Sequence, residues 1–456
     1  MSATRLPEGL LLAYYGDDFT GSTDVMEVMT FAGLPTVLFL DPPSERQRAR
    51  FADHRGIGIA GTARSRSPAW MRANLPHTLG ALHASGAPIL QYKVCSTFDS
   101  SPGIGSIGTA LEIGRALRPE SWSPILVGAP RLGRYQAFAN LFAVFEGEHH
   151  RLDRHPTMAR HPATPMREAD LRRHLAAQTT LPIGLIDLVA MKRGAAAKLR
   201  EKLLERGIAA QLLDVIDEET LREAGRLVWE NRGRGIFTVS SSGLQYALVA
   251  HWRACGMLDP PPSPRPRPPV DRLLVLSGSC APTTAAQIRS FEAAGAVGLR
   301  LDPRRLLDET EVPGQVARQA ARARRLLSQG RDVVLYTACG PEDPAIAAFD
   351  QEVARRGFDA ERARACIGAA LGEIAAAVLA ATDLRRLVIC GGDTSGHAAA
   401  RLGIFALTAL LPLAPGSPLC RAWSDDPKRD GLELVLKGGQ VGGPDYFALA
   451  KAGGKR

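Results

Sequence analysis

Short apolar runs rich in β-branched residues recur along the chain, each followed by a polar or glycine-rich stretch and then by a segment of helical period. In the first half they are LLLAYY, PTVLFL, GIGIAG, PILQYKV, PILVGAP, LPIGLIDL and GIFTVSSSG; in the second, RLLVLSGS, DVVLYTACG and RRLVICGGD. Runs that are apolar throughout belong to strands buried on both faces, and the helices between them are the crossovers a parallel sheet requires. The pattern predicts an α/β protein with largely parallel sheets. Between residues 259 and 270, DPPPSPRPRPPV carries seven prolines in twelve positions, which neither a helix nor a central strand accommodates. Two α/β domains are therefore expected, residues 1–258 and 271–456, joined by that linker and with a ligand cleft between them. A chain of 456 residues is also too long for one ordinary core.

In open α/β sheets ligands bind beyond the carboxyl ends of the strands, so the residues after each apolar run are the candidates. The first run ends at Asp17 and Asp18. Asp24 and Glu27 read as a capping pair opening the next helix, which leaves Asp17 and Asp18 between strand and helix. Carboxylates there accept bonds from substrate hydroxyls, take up a hydroxyl proton or hold Mg²⁺, or else one simply caps a turn. After PILQYKV, the stretch KVCSTFDSSPGIGSIG offers the cation Lys93, the donors Ser96, Thr97, Ser100 and Ser101, and the carboxylate Asp99. Gly105, Ser106 and Gly108 then open a helix whose free N–H groups suit an anion. Arg64 and Arg66 follow another strand, and Arg131 and Arg134 the next; arginines so placed clamp carboxylates. GIGIAG and GIGSIG both match G-x-G-x-x-G, but the first lies inside a strand and the second follows its strand by a long polar loop, so neither has a dinucleotide context. His149, His150, His155 and His161 fall irregularly in a proline-broken stretch and read as solvated loop residues, and no metal site is expected.

In the second half, three glycine-rich loops follow three strands: VLSGSCAPTT, VICGGDTSGHAA and VLKGGQVGGPDYF. Glycine lets backbone N–H groups approach a ligand, and a nest of them holds phosphate. Ser277, Gly278 and Ser279 in the first loop, Gly391, Gly392, Thr394 and Ser395 in the second, and Gly438 and Gly439 in the third are the candidate nucleotide contacts. Asp393 either meets Mg²⁺ or caps the helix that follows. There is no G-x-x-x-x-G-K-[ST], which excludes a P-loop.

Composition narrows the partners. The formal charge of +9 favours anions, yet the arginines are dispersed over helices, so small anionic ligands fit and nucleic acid does not. The seven cysteines form no CxxC pair and read as reduced thiols. No uninterrupted apolar run reaches bilayer length; a cytoplasmic location without membrane association is expected, and a homo-oligomer is compatible with it.

The motifs DDFTGSTD, GSCAPTT, GGDTSG and LKGGQVGGPDYF together resemble the four-carbon acid sugar kinase family, formerly a domain-of-unknown-function group, over nearly the whole chain. The resemblance implies an N-terminal acid-sugar-binding domain and a C-terminal ATP-binding domain, with Asp17, Asp18, Arg66 and Lys93 facing the acid. It implies Ser277, Ser279, Gly391 to Thr394, Gly438 and Gly439 facing ATP, with phosphate passing to a substrate hydroxyl. One departure stands out. Where many members resemble K-x-D-S-T-x-R-G-N-x-G, this chain has Cys95 for the first Asp and Asp99, Ser100 and Ser101 for Arg-Gly-Asn. Exchanging an arginine for a carboxylate changes what binds, which points to a relative of threonate, erythronate or 3-oxo-tetronate, such as the branched 3-oxo-isoapionate. Asp18, or Asp17, is the expected base. The rival readings are a nucleotide-regulated binding protein without turnover and a nicotinamide dehydrogenase.

Overall fold

The computed structural model describes residues 5–161 and 163–454 and, within them, the side chains of all but Ala360, Glu361 and Asp393. Two packed units emerge: residues 1–37 with 48–262, and residues 38–47 with 263–456. Residues 259–270 carry neither helix nor strand.

Among the described residues eleven strands precede residue 262: β1 (Leu12–Gly16), β2 (Thr36–Phe39), β3 (Gly56–Ala60), β4 (Ile89–Lys93), β5 (Ser123–Ile125), β6 (Arg134–Ala137), β7 (Asn140–Phe145), β8 (Glu148–Arg151), β9 (Ile183–Ile186), β10 (Ala210–Leu213) and β11 (Ile236–Ser240). The main sheet of the first unit runs β11-β4-β1-β3 with β2 beside β3, and the pairs β11–β4, β4–β1 and β1–β3 are parallel. Because β2 and β3 go to one side of β1 and β4 to the other, the chain changes direction between β1 and β4. That is the switch point at which doubly wound sheets open a crevice. Strands β5, β10 and β9 form a second parallel sheet. Every residue of β1 and β4 is buried, as continuous apolar runs demand.

Strands β12 (Leu274–Ser277), β13 (Val297–Arg300), β14 (Val333–Tyr336), β15 (Arg386–Cys390), β16 (Ile404–Ala414), β17 (Ser417–Ser424) and β18 (Glu433–Lys437) belong to the second unit. Their order is β16-β17-β18-β15-β12-β14-β13. The five strands from β18 to β13 are parallel, and β16 and β17 form an antiparallel extension. Here the reversal lies between β12 and β15. Helix Pro282–Ala293 lays Ile288 and Phe291 on a core with Val275, Val388, Val435 and Phe447.

Every strand expected from an apolar run forms. The half-polar ones do not announce themselves: β6–β8 is an antiparallel meander, and its last strand contains His149 and His150, which the sequence places in a loop. The helix after β1 also starts earlier than expected, spanning Phe19–Phe31 with Asp18 as N-cap at φ −143° and ψ 161°. Asp24 thus lies inside it and caps nothing. Hydroxyl residues are tolerated in its first turns because they bond backward, Thr23 Oγ1 donating to the Thr20 carbonyl at 2.7 Å. One stretch, Arg362–Ala380, is long and apolar enough to cross a membrane by length and composition alone, and half of it is buried. A scan for uninterrupted apolar runs misses it because Arg364 and Glu373 interrupt it.

Candidate functional site

At the switch point of the first unit, β1 ends at Gly16, immediately before Asp17, and β4 ends at Lys93; the Asp17 N–H donates to the Lys93 carbonyl at 3.1 Å. The neighbouring 3₁₀ turn Ala63–Ser65 swings Arg64 inward. Its Nη2 lies 2.6 Å from Asp17 Oδ1 and 2.7 Å from Asp18 Oδ1, and its Nε lies 3.2 Å from Asp17 Oδ2. One guanidinium therefore bridges both aspartates. Asp18 additionally accepts from the Gly21 N–H at 3.1 Å and the Thr20 hydroxyl at 3.0 Å. Glycine is required at 21 because a Cβ would come within 2.2 Å of Asp18 Oδ1 and 3.1 Å of Lys93 Nζ. Lys93, itself buried, thus reaches along the start of the helix beside Asp18.

The two aspartates differ in surroundings. Asp17 has only 4% of its side chain exposed against 19% for Asp18. Burial pushes Asp17 up to about 6 despite the Arg64 charge, with Asp18 adding to the rise. A carboxyl whose folded value stands above its ordinary one loses free energy when it ionises in the fold. Its contribution to stability is therefore complete at and below pH about 4 and is lost as pH rises through about 6. Urea unfolding of Asp17→Asn is expected to show less decline in stability over that interval than the wild type; an identical pH slope would contradict the assignment.

The loop after β4 is held tightly. Thr97 Oγ1 donates to Asp99 Oδ1 at 2.7 Å and lies 2.9 Å from Cys95 Sγ. Ser100 Oγ meets His174 Nε2 at 2.8 Å and Gln178 Nε2 at 2.9 Å. Phe98 takes φ +55°, a conformation that costs a non-glycine residue on the order of 1 kcal/mol or more and gathers at functional sites. Burial raises Asp99, but the Arg64 charge and the Thr97 hydrogen bond outweigh it and hold the carboxyl below its usual range. Burial drives His174 down to about 4, so it is a neutral partner. Helix Ile107–Leu117 opens at Ser106 as expected, but its first-turn N–H groups are not left for an anion: Ser106 Oγ accepts from the Thr109 N–H at 3.1 Å and Gln178 Oε1 from the Gly108 N–H at 3.3 Å.

Arg134 donates through Nη1 to the Leu132 and Gly133 carbonyls at 3.0 and 3.2 Å, while its buried Nε finds no partner. Arg66 does not join the aspartates. Its Nε bonds Thr62 Oγ1 at 3.3 Å and its guanidinium lies 5.2 Å from the Trp70 ring centre. Sequence reasoning had no signal that the 3₁₀ turn would choose Arg64 over Arg66. Two further polar groups were missed. Asp24 Oδ1 and the Ser242 hydroxyl are buried, the two side chains beside one another; burial raises Asp24, while the Lys93 charge and the Ser242 hydroxyl both favour its charged form.

In the second unit, a cavity of about 180 Å³ is lined by Gly278, Ser279, Arg364, Ile367, Gly391, Gly392, Thr394 and Gly439. Its walls come from the loops after β12, β15 and β18, three adjacent parallel strands at the switch point. The Gly278 N–H donates to the Cys390 carbonyl at 3.1 Å and the Gly391 N–H to the Lys437 carbonyl at 2.9 Å, so the three loops are stitched together. Gly391 has φ +119°, open only to glycine. The helices Pro282–Ala293 and Gly392–Ala400 both begin without a side-chain cap, leaving first-turn N–H groups for an anion. The third loop is pinned from helix Pro282–Ala293: Thr284 Oγ1 donates to the Gly439 carbonyl at 2.8 Å. Gln287 Nε2 donates to the carbonyls of Val441, Gly442 and Gly443 at 2.9, 3.1 and 3.0 Å.

Among the sequence candidates, Gly278, Ser279, Gly391, Gly392, Thr394 and Gly439 converge on this cavity. Ser277 and Ser395 are wholly buried and serve the backbone, Ser277 Oγ accepting from the Ser279 N–H at 3.3 Å and Ser395 Oγ donating to the Ile389 carbonyl at 3.2 Å. Gly438 stands next to the cavity without lining it. The Asp393 side chain lies outside the described residues. Arg364 and Ile367 come from helix Ala360–Ala380, where nothing in the local sequence sets them apart.

Comparison with known proteins finds a match for each half. A sugar-binding N-terminal domain matches residues 12–248 and a nucleotide-binding C-terminal domain matches residues 274–447. The chain is 53% identical, over 99% of its length and 96% of the relative's, to a 3-oxo-isoapionate kinase of Paraburkholderia graminis. It is 34% identical, over 97% of its length and 98% of the relative's, to a 3-oxo-tetronate kinase of Methylobacterium radiotolerans. A solved Salmonella typhimurium LT2 protein shares the fold with a TM-score of 0.75 at 24% identity, covering 96% of this chain and 98% of that one. A Haemophilus influenzae protein does so with a TM-score of 0.71 at 22% identity, covering 97% of this chain and 100% of the other.

Proposed function

The chain belongs to the four-carbon acid sugar kinase family, and from that premise we propose that it transfers the γ-phosphoryl group of ATP to a hydroxyl of 3-oxo-isoapionate or a close structural relative. The 53% identity to a 3-oxo-isoapionate kinase, against 34% to a 3-oxo-tetronate kinase, supports the branched acid over the linear one. The observation that carries the chemistry is the Asp17–Asp18 pair bridged by Arg64 at a switch point beside Lys93.

Phosphoryl transfer asks a protein for positioning and charge neutralisation more than for covalent chemistry. Lys93, with Arg134 and its unpartnered Nε, takes the acid's carboxylate, and Ser96, Thr97 and Asp99 shape the wall beside it. Asp18, more exposed than Asp17 and less completely locked by Arg64, orients the attacking hydroxyl and accepts its proton as the oxygen bonds to γ-phosphorus. The bond from γ-phosphorus to the bridging oxygen breaks, and ADP leaves. In the second unit the glycine turns at 278–279, 391–392 and 438–439 hold the nucleotide phosphates through backbone N–H groups, with Thr394 adding a hydroxyl.

Among the described residues no group of three or more His, Cys, Asp or Glu could hold a metal by itself. Mg²⁺ carried by the nucleotide would draw chiefly on phosphate oxygens and water, with one or two carboxylates besides. When bound, the ion neutralises phosphate charge.

The test is ADP release from ATP with 3-oxo-isoapionate, 3-oxo-tetronate, threonate and erythronate. We expect kcat/KM for 3-oxo-isoapionate to exceed the others by roughly 10-fold or more. Equal turnover of all four would refute the substrate assignment, and binding without ADP formation would make the protein a sensor.

A further inference from the structure

We infer that Lys437, a residue outside the glycine turns themselves, is the buried counter-charge of the nucleotide's phosphates and the strut that aims the third turn at them. The inference rests on the nucleotide reading of the second unit. Lys437 ends β18, opposite Cys390 at the end of β15, and so stands between the turns at 391–392 and 438–439. It is wholly buried. Its Nζ donates to the Gly438 carbonyl at 2.8 Å and to Thr284 Oγ1 at 3.2 Å, and approaches the Gly439 carbonyl at 3.5 Å. The Tyr446 ring lies 5.8 Å away.

Two features make this more than a structural lysine. First, no carboxylate lies within ion-pair distance of it among the described residues, whereas Arg386, also wholly buried, is answered by Glu433 at 2.5 Å. An ammonium out of water without an anion is a standing cost, and an anionic ligand on the adjoining cavity removes it. Secondly, peptide carbonyls drawn inward onto Nζ turn the N–H groups that follow them the other way, and Gly439 lines the cavity. The charge lies one peptide from the ligand, so Lys437 is a positioning residue that acts through the turn.

Binding of ADP and of adenosine to the full chain, measured by titration calorimetry, tests this. Adenosine lacks the charge that Lys437 answers. In Lys437→Met, which keeps the length of the side chain, ADP affinity is expected to fall about 20-fold while adenosine affinity stays within about twofold, the size of one charge-assisted interaction. Lys437→Arg is expected to restore most of the difference between the two ligands. An unchanged ADP-to-adenosine ratio in Lys437→Met, or an equal loss for both ligands, would overturn the inference. Should Lys437→Met fail to fold, Lys437→Arg and Lys437→Gln, both hydrogen-bonding and only one charged, decide it by the same ratio. A wild-type protein that binds neither ADP nor ATP would instead refute the nucleotide reading beneath it.

Discussion

Asp18→Asn is expected to lower kcat by roughly 100-fold or more, the share a positioned base ordinarily supplies, while leaving nucleotide affinity and melting temperature close to wild type. The separation follows from the two roles Asp18 plays. As N-cap of helix Phe19–Phe31 it accepts the Gly21 N–H, and asparagine caps a helix about as well as aspartate. As the more exposed partner of Arg64 it is the group able to receive a proton, which asparagine cannot do. Steady-state kinetics with saturating ATP, read beside a thermal melt, separates the roles. Turnover retained within about threefold would remove Asp18 as the base and leave Asp17 to be tested in its place.

The second large effect belongs to Arg64→Met. Arg64 ties two carboxylates to one point and also lowers Asp99, so its removal leaves like charges crowded in a largely buried site. Breaking such a pair from one side costs about 3 kcal/mol. The pH dependence is the diagnostic part. Without the guanidinium, Asp17 moves further above about 6, and a carboxyl raised in the fold opposes folding only where it must ionise. The stability deficit relative to wild type is therefore expected to be largest at pH 8 and to shrink toward pH 4.5, where Asp17 carries its proton. Denaturant melts across that range measure it; a deficit independent of pH would mean that Arg64 contributes packing and not charge.

Which parts of this were legible in the sequence follows from what each residue has to satisfy. Strands buried on both faces carry unbroken apolar stretches with polar residues only where a partner answers them, so β1, β4, β12 and β15 and the loops at their carboxyl ends could be read directly. Strands with one polar face carry no such mark: β8, with the sequence EHHR and no fully buried residue, looks like a loop. The start of helix Phe19–Phe31 was obscured because Gly21, Ser22 and Thr23 are poor helix formers taken alone. Tertiary contacts decide the matter, among them the Tyr14 hydroxyl donating to the Ser22 carbonyl at 3.0 Å.

The site residues divide in the same way. Asp17, Asp18, Lys93 and the glycine turns lie at strand ends, where topology alone places function. Arg64 depends on one 3₁₀ turn, Arg364 on how a helix packs over a loop, and Lys437 on a strand's last side chain turning inward. Those are three-dimensional facts with no local periodicity to betray them.

The most direct measurement is ³¹P nuclear magnetic resonance of the products formed from ATP and 3-oxo-isoapionate by the purified protein. The account predicts ADP and a single new phosphomonoester in equal amounts, with proton coupling that reports whether the modified carbon carries one hydrogen or two. Inorganic phosphate in place of the ester, or no ADP with any sugar acid in the panel, would contradict it.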